Sequence, residues 1–282
     1  MRGLNISVCG GDESAARLCA RLRDDGHRVR AFALDGGDVG EGVMKVGCPE
    51  GSLDGAELVI LPPAAAANGR LYAPLCSRSV EVSTLLDAAP ETALICAGGE
   101  VSGAAGYCED YTAREDFAVG WAALAAEGAV ELALAGSDGA LVGSRALVLG
   151  YGWLGQLLCA RLRALGAEVT AAARREGALA MAAAMGCRTV KLSALDGRLG
   201  DFDYLFNTVP APVLSTKRLA EIRCGAFLAE LAGEPGGFDG KTAQTLGIRA
   251  VEARNLPGKC APQAAAELIR TAVYAAAEEW KV

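Results

Sequence analysis

The chain has 282 residues, a formal net charge of −7 and 52% hydrophobic residues, of which few are aromatic. That length suits one large or two ordinary domains, and the acidic balance argues against an electrostatic surface for nucleic acid or anionic lipid. Ten cysteines stand far apart inside apolar runs such as Leu158-Cys159-Ala160, no CxxC occurs and His27 is the only histidine. Reduced core thiols in a cytoplasmic protein are therefore expected, with neither a disulfide framework nor a Cys/His metal site. The N-terminus carries no signal-peptide pattern, and no apolar run is expected to reach membrane-spanning length.

Leu4-Asn-Ile-Ser-Val-Cys9 reads as a strand, Gly10-Gly11-Asp12 as a turn, Ser14–Leu22 as a helix and Val29–Leu34 as a second strand. The turn lacks the third glycine of a dinucleotide fingerprint, and a carboxylate at Asp12 would repel a phosphate. It is read as a helix cap, with Asp12 or Ser14 as the capping residue. His27, in the polar link before the second strand, is expected to be solvated. Further strands are expected at Leu58–Leu61 and Ala93–Cys96, with a helix near Val80–Ala88. Alternation of short apolar strands with helices predicts a parallel α/β sheet, so residues 1–120 are expected to form a small α/β domain of flavodoxin-like type.

A polar run around Glu109 to Asp116 leads into a helical pattern carrying Phe117, Trp121, Leu124, Ala125, Val130 and Leu134, read as a bridge between domains. Ala146-Leu-Val-Leu-Gly150-Tyr-Gly152-Trp153-Leu154-Gly155 then gives strand, turn and helix start. Its glycines have the G-x-G-x-x-G spacing of a dinucleotide site. Gly150 permits the tight turn, Gly152 lets the backbone approach a pyrophosphate, and Gly155 lets the helix pack close to its strand. Strands follow at Glu168–Ala172, Arg188–Val190, Tyr204–Phe206, Ala226–Ala229 and Arg249–Val251, enough for a complete Rossmann sheet over residues 121–262. An amphipathic helix in 263–282 is expected to cross back and brace the first domain, leaving a cleft between two lobes. After the second strand of this domain the chain reads Ala171-Ala-Ala-Arg174-Arg175-Glu176. Two guanidiniums there suit a 2′-phosphate, which favours NADP, with NAD the alternative if Glu176 holds the ribose instead.

Taken together and in order, Asp110-Tyr-x-x-Arg-Glu-Asp-Phe117, Ala126-Glu-Gly-Ala129, Val148-Leu-Gly-Tyr-Gly152, Phe206-Asn-Thr-Val-Pro-Ala211, Pro235-Gly-Gly237 and Leu256-Pro-Gly-x-x-Ala-Pro262 resemble the family of the dipicolinate synthase A subunit. The resemblance implies a two-domain build like that of hydroxy-acid and alanine dehydrogenases. It also implies oxidation of dihydrodipicolinate, or of its hydroxytetrahydro precursor, to dipicolinate in spore-forming bacteria, in partnership with the flavoprotein-like B subunit of the synthase. Trp153 stands where that family usually has arginine.

Oxidising a dihydropyridine creates an aromatic ring, so much of the driving force lies in the substrate and a strong base is not essential. A substrate with two carboxylates calls for cationic or N–H clamps. Arg114 is the candidate for substrate binding, Glu127 and Lys259 are the catalytic candidates, and each also fits a solvated or capping charge. Asn207, Thr208 and Pro210, just past the fourth Rossmann strand, are expected to border the nicotinamide. Two alternatives stay open: another two-domain dehydrogenase of hydroxy-acid or alanine type, and a nucleotide-binding regulatory subunit without chemistry. A homo-oligomer is compatible with all three.

Overall fold

Glycine turns and short apolar runs build two parallel sheets of six strands each. The structure, a computed structural model, describes residues 3–101 and 107–281. The first sheet is formed by β1 (Asn5–Cys9), β2 (Arg28–Phe32), β3 (Met44–Val46), β4 (Leu58–Ile60), β7 (Leu94–Ala97) and β8 (Cys108–Asp110). A two-stranded ribbon, β5 (Ala66–Ala67) and β6 (Arg70–Leu71), lies outside it, and helices α1 (Glu13–Asp24), α2 (Pro49–Leu53) and α3 (Val82–Ala88) connect the strands. The order is β3-β2-β1-β4-β7-β8. This corrects the flavodoxin-like expectation: the chain adds β3 outside β2 before crossing to β4, so the order reverses between β1 and β4 as in a Rossmann sheet. The sequence reading missed β3 and β8, which are the two edges. An edge strand has one neighbour and needs no continuous apolar run, and Met44 and Lys45 are in fact exposed.

Helix α4 (Glu115–Gly136) comes next, then β9 (Arg145–Leu149), α5 (Trp153–Ala164), β10 (Glu168–Ala173), α6 (Glu176–Ala184), β11 (Arg188–Lys191), β12 (Tyr204–Asn207), α7 (Thr216–Leu219), β13 (Phe227–Glu230), α8 (Gly240–Thr245) and β14 (Arg249–Glu252). The second sheet runs β11-β10-β9-β12-β13-β14, again parallel and again switching beside its first strand. Two helices finish the chain, α9 (Leu256–Cys260) and α10 (Pro262–Trp280). The chain divides into two units, Met1–Trp121 with Pro257–Val282, and Ala122–Leu256. Helix α4, at 22 residues, is long and apolar enough to cross a membrane by length and composition, against the sequence expectation. Its alanines Ala126, Ala129 and Ala133 are fully buried in protein, and Gly136 sits where any Cβ would fall 2.6 Å from the Phe227 ring. Along this face small residues pack closely against protein, and 39% of the apolar window is buried.

In the first unit α10 lies against α1 and shares one core with β1: Leu4, Ile6, Val8, Ala15, Ala16 and Cys19 meet Ala266, Ile269, Ala272, Val273, Ala276 and Ala277. The alanines of α10 recur at helical spacing, so the two helices approach closely along a narrow stripe. A polar clasp closes the end of this seam. His27, expected in solvent, is only 6% exposed. Its Nδ1 accepts from the Leu4 N–H at 3.1 Å, its Nε2 lies 3.0 Å from the Tyr274 hydroxyl, and that hydroxyl donates to Asp25 at 2.6 Å. Arg270 pairs with the same Asp25 oxygen at 2.7 Å. Because the tyrosine hydroxyl gives its proton to Asp25, it accepts from His27 Nε2, which defines a neutral imidazole with the proton on Nε2.

Burial, opposed in part by Asp25, holds the His27 pKa below its ordinary value. The native state takes up this proton less readily than the unfolded chain, so the stability is fully present above the unfolded-state value of about 6.5 and declines as pH falls below it. The urea midpoint of the wild type should drop between about pH 7.5 and about pH 5.5, and drop less in His27→Gln, which has no titrating ring. Parallel pH curves for the two proteins would remove His27 from this account.

Candidate cofactor-binding site

Both sheets present the same local problem at the end of their first strand. A sharp turn there starts a helix whose first N–H groups have no partner inside the helix. In the first unit the turn is Gly10-Gly11-Asp12, and the sequence solves it internally. Asp12 caps α1, its Oδ1 accepting from the Ser14 N–H at 3.0 Å and the Ser14 hydroxyl at 2.6 Å. Gly258 of α9 is packed so closely on this carboxylate that no side chain fits there. A protein carboxylate thus occupies the place where a phosphate would bind.

The second unit leaves the same place open. Gly150 takes φ +98°, a left-handed conformation that turns β9 into the loop. Gly152 is the N-cap of α5 and brings no side chain to cap it, while a Cβ built on it meets nothing within 4 Å. Gly155, one turn inside, is buried, and a Cβ there would strike the Gly150 carbonyl. Thr208, after β12, closes the floor by donating its hydroxyl and its N–H to the Leu149 carbonyl, each at 2.8 Å. The result is an uncapped, positively polarised helix end with a side-chain-free approach, which fits the pyrophosphate of a dinucleotide. Trp153, 46% exposed at the first position of α5, and half-buried Leu154 flank it.

Arg174 and Arg175 follow β10 and are exposed, with no ion pair or side-chain hydrogen bond among the described residues. Glu176, the residue that would favour an unphosphorylated ribose, forms an ion pair with Lys191 on β11. The three charged residues at this corner are therefore two free guanidiniums and one neutralised carboxylate.

Asn207 does not face the open side of this site as expected. It is fully buried, and its Nδ2 donates to Glu230 Oε1 at 2.7 Å and to the Val209 carbonyl at 2.9 Å, while its Oδ1 accepts from the Val209 N–H at 3.2 Å. Glu230, buried at the end of β13, also accepts from the N–H groups of Ala232 at 3.0 Å and Gly237 at 2.7 Å. A buried carboxylate requires such partners, and here it ties the loops after β12 and β13 to each other. The sequence reading did not foresee the Glu230 clasp. The one local signal was an acid ending the apolar strand Phe227-Leu-Ala-Glu230. Pro210 is exposed beyond this clasp.

The charged candidates separate in the same way. Arg114, expected as a substrate clamp, donates to Glu279 of α10 at 2.9 Å and lies beside Asp116 at 3.7 Å. The Glu279 hydrogen bond, with the neighbouring acids, raises its pKa further. Glu127, expected as a proton acceptor, pairs with Arg161 of α5 at 3.0 Å. Both side chains are thus engaged in long-range ion pairs. Lys259 is exposed on α9. Among the described residues no three His, Cys, Asp or Glu side chains come together to hold a metal ion.

The glycines make opposite demands, which single substitutions can separate. Gly152→Val should leave the cooperative melt unchanged and abolish dinucleotide binding, because the new side chain fills open space that the pyrophosphate needs. Gly155→Ala should destabilise the fold by about 1–3 kcal/mol, since backbone cannot move aside for its methyl group. Thermal melts and cofactor titration of the two variants check this, and a stable, binding-competent Gly152→Val would place the cofactor elsewhere.

Comparison with known proteins agrees with this layout. Residues 5–114 match the family described as the N-terminal domain of the dipicolinate synthase A subunit. Over 283 residues the chain is 29% identical to the dipicolinate synthase A subunit of Bacillus subtilis (strain 168), covering 95% of this chain and 94% of that protein. The crystal structure of the dipicolinate synthase A subunit from Bacillus halodurans superposes with a TM-score of 0.82 at 26% identity, covering 96% of this chain and 97% of that one. A transhydrogenase from Sinorhizobium meliloti shares the fold, with a TM-score of 0.65 at 18% identity over 97% of this chain and 94% of that one. With two Rossmann-ordered sheets and an open fingerprint in the second, the chain is similar to the dipicolinate synthase A subunits of Bacillus subtilis and Bacillus halodurans over nearly its whole length, and its residues 5–114 match the N-terminal domain family of that subunit.

Proposed function

We propose that the chain is the NADP-dependent oxidoreductase subunit of a cytoplasmic dipicolinate synthase, oxidising dihydrodipicolinate to dipicolinate. The observation that carries this reading is the uncapped Gly150-Tyr-Gly152 turn beside Arg174 and Arg175, in a chain whose relatives are named for one subunit of dipicolinate synthase. When bound, the nicotinamide supplies a hydride acceptor: the substrate loses a hydride and a proton, and its ring becomes aromatic. The N–H groups at the start of α5 hold the pyrophosphate, and Gly152 keeps the approach clear. Arg174 and Arg175 hold the 2′-phosphate through charge-assisted hydrogen bonds, while Lys191 keeps the Glu176 carboxylate from repelling it. The Asn207–Glu230 clasp ties the ends of β12 and β13 together and would keep this border of the site rigid when the cofactor is bound.

Lys259 remains the charged candidate for proton transfer or carboxylate binding, since Arg114 and Glu127 are engaged elsewhere. A flavoprotein-like second subunit completes the activity, a reading supported by the designation of the relatives as one subunit of a synthase.

In a fluorescence titration NADPH should bind more tightly than NADH. The double variant Arg174→Ala/Arg175→Ala should lose about 1.5–3 kcal/mol of NADPH affinity and little for NADH. Tighter NADH binding at the outset, or an equal loss for both, contradicts the NADP assignment. Turnover of dihydrodipicolinate should stay low with the chain alone, rise on adding the cognate second subunit, and fall in Lys259→Ala. Full turnover by the isolated chain would dispense with the partner, and none with the partner present would favour a regulatory role.

A further inference from the structure

The second sheet leaves part of one face without a helix over it. Parallel register puts Arg145 and Leu147 of β9, Glu168, Thr170 and Ala172 of β10, and Arg188 and Val190 of β11 on that face. Between β11 and β12 the chain returns through two short 3₁₀ turns, Leu192–Ala194 and Leu199–Asp201, in place of a full helix. Leu195 and Phe202 of this crossover pack with Leu147, Ala172 and Val190. A cavity of about 240 Å³ is left at the amino ends of the three strands. Buried Val190, Leu195 and Phe202 form its apolar floor, and exposed Arg145, Arg188 and Arg198, with Glu168 and Asp201, form its rim.

The protein itself makes little use of the polar groups around this cavity. Arg188 lies 3.0 Å from Glu168, but Arg145 and Asp201 stand 3.9 Å apart. The guanidiniums of Arg145 and Arg198 make no hydrogen bond among the described residues, and neither does the half-buried Thr170 hydroxyl. Three guanidiniums against two carboxylates leave an excess of positive charge, on a chain whose net charge is −7. An anion is therefore drawn to this rim and repelled by much of the remaining surface.

We propose that this cavity binds a small aromatic carboxylate, a single ring bearing one or two carboxyl groups. The carboxylate takes charge-assisted hydrogen bonds from Arg145 and Arg198, whose planar forks match it, and a further one from the Thr170 hydroxyl. The ring covers the floor of Val190, Leu195 and Phe202. Inorganic phosphate would satisfy the rim and leave that floor wet, while an uncharged ring would desolvate the guanidiniums without a partner. The volume is below the ~300–1,000 Å³ of sites for drug-sized ligands, so the occupant is one ring rather than several. The cavity is separate from the cofactor site, because Gly150 follows the opposite, carboxyl end of β9. Binding here does not depend on the cofactor. Dipicolinate, the product under the function proposed above, is itself an acid of this class, and on that reading the cavity is a place where product acts back on its own synthesis.

Isothermal titration of the full chain with benzoate and with pyridine-2,6-dicarboxylate, in buffer free of divalent cations, should show saturable binding of both. Arg145→Ala and Arg198→Ala should each weaken it about ten-fold or more, as for a lost charge-assisted hydrogen bond. Thr170→Val, which removes only the hydroxyl, should weaken it less. Melting curves and NADPH titrations of the three variants should match the wild type, which separates loss of this site from loss of the fold and from failure of the cofactor reading. Binding of neither acid, binding that survives both arginine substitutions, or phosphate binding as tight as that of benzoate would overturn the proposal. A wild-type crystal soaked in benzoate gives a second measurement if a variant folds poorly: a ring against Phe202 supports the site, and a ring bound only elsewhere overturns it.

Discussion

A helix that begins directly after a strand must find acceptors for its first N–H groups, and the two units of this protein meet that constraint in opposite ways. The first brings its own anion in Asp12 and then seals it beneath Gly258 of α9. The second withholds a capping side chain at Gly152 and leaves its approach empty. The two sheets share strand order and switch point, so architecture alone would provide two equivalent sites. One carboxylate against one hydrogen atom decides which of the two helix ends stays open.

Around the open site, polar groups are either buried and mutually engaged or left exposed. Glu230 gathers the Asn207 amide and two backbone N–H groups, so the loops beyond β12 and β13 are held by charge-assisted hydrogen bonds in a dry environment. Arg174 and Arg175 remain at the surface, where a guanidinium keeps its hydration. The two arginines and the clasp thus lie at strand ends of the same sheet in opposite environments.

The alternation of strand and helix was legible because both sheets are parallel and their central strands are apolar on both faces. The edge strands β3 and β8 were not, and with them went the strand order of the first unit. The glycine fingerprint and the Asp12 cap could be read because their partners lie within five residues in the chain. The contacts of His27, Arg114, Glu127 and Asn207 were not legible for one shared reason. Their partners Tyr274, Glu279, Arg161 and Glu230 are separated from them by 247, 165, 34 and 23 residues, and no local pattern marks such pairs. Helix α4 shows the converse error, in which alanine-rich packing against protein resembles the composition of a lipid-facing segment.

The seam between α1 and α10 also bears on how the polypeptide emerges during synthesis. The first unit is discontinuous, and its core requires Ala266, Ile269 and Val273, which leave the ribosome after the whole of 122–256. The contiguous second unit has all its strands exposed to solvent, and can close, while the first still presents the apolar face of α1 without its covering helix. At translation rates of roughly 5–20 residues per second the stretch from Glu252 to Trp280 takes about 1–6 seconds, long compared with the collapse of a small domain. The earliest-made strand is thus among the last to be enclosed, and the growing chain has reason to be shielded by a chaperone until α10 arrives.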